Sequence, residues 1–177
     1  GPKLLIETLT SENDRNFKHI FLTGPDTVEF NETVKSLNQE DTFFVVSSKS
    51  FSTDETLQSI ALSKAWVETK CKFEDHFIAI TSQPDKAQNF GFKENIIKFP
   101  NEIGGRYSMW SPISLPAILE LGENFKEFLL GGHESDKLLL NDQDYNDFIN
   151  LLSFSDIWYN NFDNKHIRVI LLYSWKM

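Results

Sequence analysis

Cysteine occurs once in this 177-residue sequence, at Cys71. No internal disulfide framework can form, and a reducing, cytoplasmic setting is expected. Basic charge is scarce too: 17 Lys and Arg stand against 26 Asp and Glu, for a net charge of -9. That balance argues against nucleic acid as a partner, because a phosphate backbone is held by a concentrated basic surface. A small anionic ligand stays compatible with it, since a few backbone N–H groups can hold one. No stretch approaches the roughly 18 consecutive apolar residues of a membrane-spanning helix, and no signal-peptide pattern opens the sequence, so it reads as soluble with no membrane partner. Internal repeats and low-complexity linkers are lacking as well. What is present, 40% hydrophobic residues over this length, suffices for one well-buried domain and is short for two.

The apolar pattern alternates between strand and helix. Residues 1–9 begin inside a helical pattern, with Pro2 suited to a first turn where a missing N–H costs nothing. Residues 19–23 form a short apolar run stopped by Gly24-Pro25-Asp26, a strand closed by a turn. Residues 28–37 are weakly helical, and 42–47 form the next strand. The clearest helix spans 52–67, with Leu57, Ile60, Ala61 and Ala65 on one face and a capping box from Ser52 to Glu55. Strands at 76–81 and 95–99 flank a helix at 85–90. Unbroken runs such as Phe43 to Val46 and Phe77 to Ile80 lack the polar alternation of a half-exposed sheet, so both faces are expected to be covered. The fold class implied is α/β, a doubly wound parallel sheet flanked by helices. From Ser111 onward helices dominate, at 114–121, 124–130 and 143–160, followed by an expected strand at 167–173.

In open parallel sheets ligands bind beyond the carboxyl ends of the strands, and residues 48–53 lie there, ahead of a helix. The hydroxyls of Ser48, Ser50, Ser52 and Thr53, with the first free N–H groups of that helix, would make a phosphate site. The same residues also suit an ordinary Ser/Thr-rich turn that only caps the helix. A second segment is Gly104-Gly105-Arg106-Tyr107-Ser108-Met109-Trp110-Ser111. Its glycines would let backbone approach a ligand, and Arg106 could present a fixed fork to an oxyanion. A tight turn with a surface arginine fits those residues equally.

Together the two segments are more specific. Residues 48–56 resemble the S-K-T-F-T-T-x-E-T element of the glucose-6-phosphate isomerase (phosphoglucose isomerase) family, and residues 104–111 resemble its G-G-R-Y-S-x-W-S signature. Phe125 to Gly132 is similar to the family's F-x-x-L-L-x-G-A stretch, and Ile157-Trp158-Tyr159 to its I-W-Y. The resemblance implies two sugar isomerase (SIS) domains of flavodoxin-like layering, with residues 1–140 as most of the first and 141–177 as the start of the second. It also implies a fragment. The family's G-I-G-G-S-D-L-G-P loop would precede Lys3, with Gly1-Pro2 as its last two letters, and the proton-transferring glutamate, the histidine and the lysine would follow Met177.

The activity implied is the reversible aldose–ketose isomerisation of glucose 6-phosphate to fructose 6-phosphate through a cis-enediol, a step of glycolysis and gluconeogenesis. It needs neither metal nor organic cofactor, and the full-length enzyme is expected to be a homodimer. Carried over, Ser48, Lys49, Ser50, Phe51, Ser52 and Thr53 form the phosphate loop, Arg106 faces the enediolate as the catalytic residue, and Gly105 contributes backbone nearby. Serine at positions 50 and 52 keeps the family's hydroxyls. A phosphosugar-binding regulatory SIS module without catalysis is the alternative; it would keep the hydroxyl loop but has no need of Gly-Gly-Arg. His133 departs from the family's G-A pattern and is expected in a surface turn. His19, His76 and His166 are spaced for no metal site and are expected to be structural. Residues 141–144 are expected to start a helix whose dipole favours their acidity.

Overall fold

A computed structural model describes residues 1–22, 24–167 and 169, with all their side chains except those of Glu12 and Arg106. The chain divides into two compact units, Gly1–Glu120 and Leu121–Met177.

The first unit is built on three short strands, β1 (Phe44–Ser47), β2 (Phe77–Thr81) and β3 (Ile96–Lys98), all parallel and in the spatial order β1-β2-β3. Phe44 pairs with Phe77, Ser47 with Ile80, and Thr81 with Lys98. Branched and aromatic residues suit a pleated ribbon, and their alternation sends Phe44, Val46, Phe77, Ala79 and Ile96 to one face and Val45, Ile80 and Ile97 to the other.

Parallel strands need crossovers. Helices α3 (Asp54–Val67) and α4 (Phe73–His76) connect β1 to β2, and α5 (Pro84–Phe90) connects β2 to β3. They bring Ile60, Val67, Phe73 and Ala87, with Phe51 and Phe92 from adjoining loops, onto the first face. Phe77, at 1% exposure, stacks on Phe44 and Phe73 with centroids 4.6 and 4.5 Å apart, while Phe92 meets Phe73 edge-on at 4.9 Å. The second face is covered by Ile103, Ile113 and Leu115 packing on Ile80 and Phe99. Both faces of the parallel sheet are therefore buried, as the unbroken apolar strands imply.

Around this core lie α1 (Pro2–Leu9), which buries Leu5 and Ile6 and has Pro2 in its first turn, and α2 (Thr27–Val34). The Asp26 side chain caps α2 by accepting from the Val28 and Glu29 N–H groups. Helix α6 (Leu115–Leu121) carries Glu120, whose side chain is 1% exposed. Its carboxylate accepts from Asn16 N at 2.7 Å, Phe17 N at 3.3 Å and His19 Nε2 at 2.7 Å. Burial pushes this carboxyl up, but the hydrogen bonds from His19, Asn16 and Phe17, with the His19 charge, outweigh it and hold it below the ordinary glutamate value.

The second unit is formed by α7 (Asn124–Asn141) and α8 (Gln143–Asn161). Between them Asp142 leaves the helical region at φ -108°, ψ 113°, and its carboxylate accepts from Tyr145 N at 2.9 Å. The expected acidic helix start is thus present, with Asp142 as its cap.

Several sequence expectations need correction. Residues 19–22 form no strand: this segment is tied down at Asn16, Phe17 and His19 by the Glu120 carboxylate rather than by a ladder. Helix α3 starts two residues later than expected, because Phe51 turns the chain inward at φ +46°; Thr53 is its N-cap, and no Ser52–Glu55 capping box forms. The buried stripe of α3 is Ile60, Ser63 and Val67, while Ala61 and Ala65 are exposed. An alanine at the edge of a helical stripe has too little apolar area to set which face turns inward. The helix expected at 124–130 runs on to Asn141, so His133 lies in a helix and not in a surface turn. Glycines at 131 and 132 cost only about 1 kcal/mol each, which the turns on both sides outweigh. The strand expected at 167–173 lies mostly outside the described residues.

Candidate functional site

The carboxyl ends of the three strands open into one cleft of about 670 Å³, lined by Ser47, Ser48, Lys49, Ser50, Thr53, Thr56, Gln83, Lys86 and Asn101. Each strand leads a piece of wall into it. Beyond β1 the ladder continues for one residue, with Ser48 N donating to Ile80 O at 3.0 Å. The Lys49 carbonyl then accepts from Ser82 N at 3.2 Å, Ser82 Oγ at 2.8 Å and Thr81 Oγ1 at 3.2 Å, which ties the loop to the end of β2. Asn101, two residues past Phe99, is joined to the same point through Ser82 Oγ at 3.2 Å.

Within the loop the sequence residues separate by role. Ser48 is buried, and its hydroxyl oxygen accepts from Phe51 N at 3.2 Å, so it closes the turn while its O–H remains a donor. Phe51 is 3% exposed and packs edge-on against Phe90 and Phe92 at 6.3 and 5.7 Å. Its φ of +46° is a conformation that a bulky residue holds only when its surroundings enforce it, at a cost on the order of 1–3 kcal/mol. It lines no part of the cleft; it is the anchor about which the loop bends. Ser52 is exposed and outside the lining, whereas Lys49, Ser50 and Thr53 are in it. Thr53 is the N-cap of the 14-residue α3, yet its side chain makes no capping hydrogen bond. The first N–H groups of α3 and the positive end of its dipole therefore lie beside the cleft, where Thr53 and Thr56 are in the lining, without an acceptor from the N-cap side chain.

Gly105 and Arg106 open a 3₁₀ turn, Gly105–Trp110, on the chain leaving β3. The Arg106 side chain lies outside the described residues. A Cβ on Gly105 would meet nothing within 4 Å, so no close packing within the described part demands glycine there. Ser108 Oγ donates to Gly105 O at 2.7 Å, and Tyr107 is 73% exposed. Three of the four histidines have hydrogen-bond partners: His19 on Glu120, His76 Nδ1 on Thr42 O at 2.8 Å, and His166 Nδ1 on Asn160 Oδ1 at 2.7 Å. Among the described residues no cluster of three metal-ligating side chains occurs, and no helix is long and apolar enough to cross a membrane.

A sequence model of the phosphoglucose isomerase family matches residues 1–177. The chain belongs to that family. Glucose-6-phosphate isomerase of Legionella pneumophila (strain Lens) is 35% identical over 182 residues, covering 100% of this chain and 36% of the relative. The enzyme of the same name from Stutzerimonas stutzeri (strain A1501) is 38% identical over 168 residues, covering 92% of the chain and 30% of the relative. This member thus spans about a third of the length of the relatives it matches. Among solved structures, a hypothetical protein of Thermus thermophilus superposes with a TM-score of 0.65 at 26% identity, over 81% of this chain and 35% of that one. A glucose-6-phosphate isomerase of Chlamydia trachomatis D/UW-3/Cx gives a TM-score of 0.66 at 24% identity, over 81% of this chain and 28% of that one, and supports the fold.

Gln83, Lys86 and Asn101 line the cleft of this phosphoglucose isomerase family member but carry no motif of their own, whereas Thr56, also in the lining, closes the 48–56 element. The rule that ligands sit beyond strand ends would have pointed to the residues after β2 and β3.

Proposed function

We propose that this chain supplies the substrate-phosphate part of a glucose-6-phosphate isomerase active site, acting in the conversion of glucose 6-phosphate to fructose 6-phosphate. The observation that carries the reading is the uncapped start of α3, set in a hydroxyl- and lysine-lined cleft at the carboxyl ends of the strands. A phosphate there would accept from the first N–H groups of α3, from the Ser50 and Thr53 hydroxyls and from Lys49, each a charge-assisted bond. Phe51 makes this arrangement rigid before the ligand arrives, so little ordering has to be paid on binding.

Arg106, from the turn after β3, is assigned to the enediolate. A fixed guanidinium opposite an oxygen that gains charge only during reaction lowers the barrier more than it tightens substrate binding. Gly105 is assigned to the backbone beside it. Membership in the family supports these roles, and on the same ground we assign a cytoplasmic setting, a homodimer, and a domain arrangement of residues 1–140 followed by a second domain opening at 141. The test is to titrate glucose 6-phosphate into the isotope-labelled protein and follow the amides of residues 48–56. Concerted movement of these signals is expected, and their staying fixed at millimolar ligand would sink the reading.

A further inference from the structure

We infer that Lys86, on α5, is a second lysine of the phosphate site, which holds the hydroxyl loop through the Ser50 carbonyl and gives the cleft its preference for a doubly charged phosphate monoester; this rests on the phosphate reading above. Lys86 Nζ donates to Ser50 O at 3.2 Å, and Lys86 lines the same cleft as Lys49. Among the described residues that line it, the two are the only charged ones, the rest being Ser, Thr, Gln and Asn. In a chain of net charge -9, a concavity whose described lining carries two cations and no carboxylate favours an anion locally. Lysines elsewhere, such as Lys35, Lys64, Lys137 and Lys165, sit on acidic partners, whereas no ion pair with Lys49 or Lys86 occurs among the described residues. The acids nearest in sequence, Asp54, Glu55 and Asp85, are exposed and stay out of the lining.

An ammonium has three N–H donors, and Ser50 occupies one. The other two can reach phosphate oxygens while the first keeps the strained turn at Phe51 in register. A phosphate monoester carries between about 1.5 and 2 negative charges near neutral pH, so a single lysine leaves part of that charge unbalanced. Lys49 and Lys86 together match it. They approach from different elements, the β1 loop and α5, so the ester is held from two sides.

The experiment is an NMR titration of the whole chain with inorganic phosphate and with glucose 6-phosphate, reading dissociation constants from the amides of residues 48–56. Lys86→Ala is expected to weaken both ligands by about tenfold or more, the worth of a hydrogen bond to a charged group. Lys86→Arg should recover most of the affinity. Lys86→Gln keeps a neutral donor for the Ser50 carbonyl and should stay weak, which separates the charge from a merely structural role. Because Lys86 is exposed, its variants are expected to melt like the parent. Unchanged affinity in Lys86→Ala, or parental affinity in Lys86→Gln, overturns the assignment. A Ser50→Ala/Thr53→Val double variant serves as the reference. If it loses phosphate while Lys86→Ala does not, only the lysine falls; if the parent shows no response at all, the cleft reading falls with it.

Discussion

Removing the Glu120 carboxylate tests how the segment before α2 is held. Glu120→Ala takes away the acceptor for Asn16 N, Phe17 N and His19 Nε2, at 2.7, 3.3 and 2.7 Å, from a side chain that is 1% exposed. Each hydrogen bond to a charged group contributes roughly 1.5–3 kcal/mol, but Asn16 and Phe17 are exposed residues whose N–H groups water can reach once the carboxylate is gone. The bond to half-buried His19 is the one that water replaces poorly, so a net loss of about 3 kcal/mol is expected. At about 2–4 °C per kcal/mol for a chain of this size, the melting temperature should fall by about 6–12 °C. The folded carboxyl lies below its ordinary value, so its contribution is complete above the unfolded glutamate value and fades as pH falls through the folded one. The gap in melting temperature between the parent and Glu120→Gln should accordingly be widest near neutrality, shrink once pH drops below about 4.3, and close in stronger acid. Melts by circular dichroism across that range are the assay. A neutral-pH melting temperature for Glu120→Ala equal to the parent's, or a gap that widens toward acid, would refute the clamp.

Phe51→Ala should cost about 3–5 kcal/mol by opening a cavity between Phe90 and Phe92, and should also weaken phosphate binding, both read from one ligand-dependent melt. Thr81→Val removes the donor to Lys49 O and the acceptor for Gln83 N at a fully buried residue; a loss of about 1–3 kcal/mol in chemical denaturation is expected, with weaker phosphate binding. Gly91 ends α5 at φ +119°, so Gly91→Ala should destabilise by about 1 kcal/mol or more on strain alone, visible as a lower denaturation midpoint with an unchanged slope. Under the isomerase function proposed above, Arg106→Ala should lower kcat in an isomerase assay by about 10² with KM nearly unchanged, and Arg106→Lys should recover part of it; an unchanged kcat would remove the role proposed for this arginine.

The sequence by itself determined the parallel sheet, because Phe44 to Val46 and Phe77 to Ile80 are apolar on both pleats and can be satisfied only by cover on both sides. It also placed the hydroxyl run of residues 48–53 beyond the end of β1, whatever the details of packing, and Ser48, Lys49, Ser50 and Thr53 of that run do line a cleft there. Local signals served where the energetics are local, as at Pro2 in α1 and Asp142 capping α8. They failed where a distant group decided. Residues 19–22 have strand composition, but the carboxylate of Glu120, some hundred positions away in the chain, anchors the stretch beside them. The Ser52–Glu55 capping pattern gave way because Phe51 gains more by reaching Phe90 and Phe92 than the helix gains by starting earlier. Lys86 and Asn101 enter the cleft only because β1, β2 and β3 end at the same level, a matter of register. Periodicity reports which residues want to be buried; which partner buries them, and which loops then meet, is fixed by packing between segments that are remote in sequence.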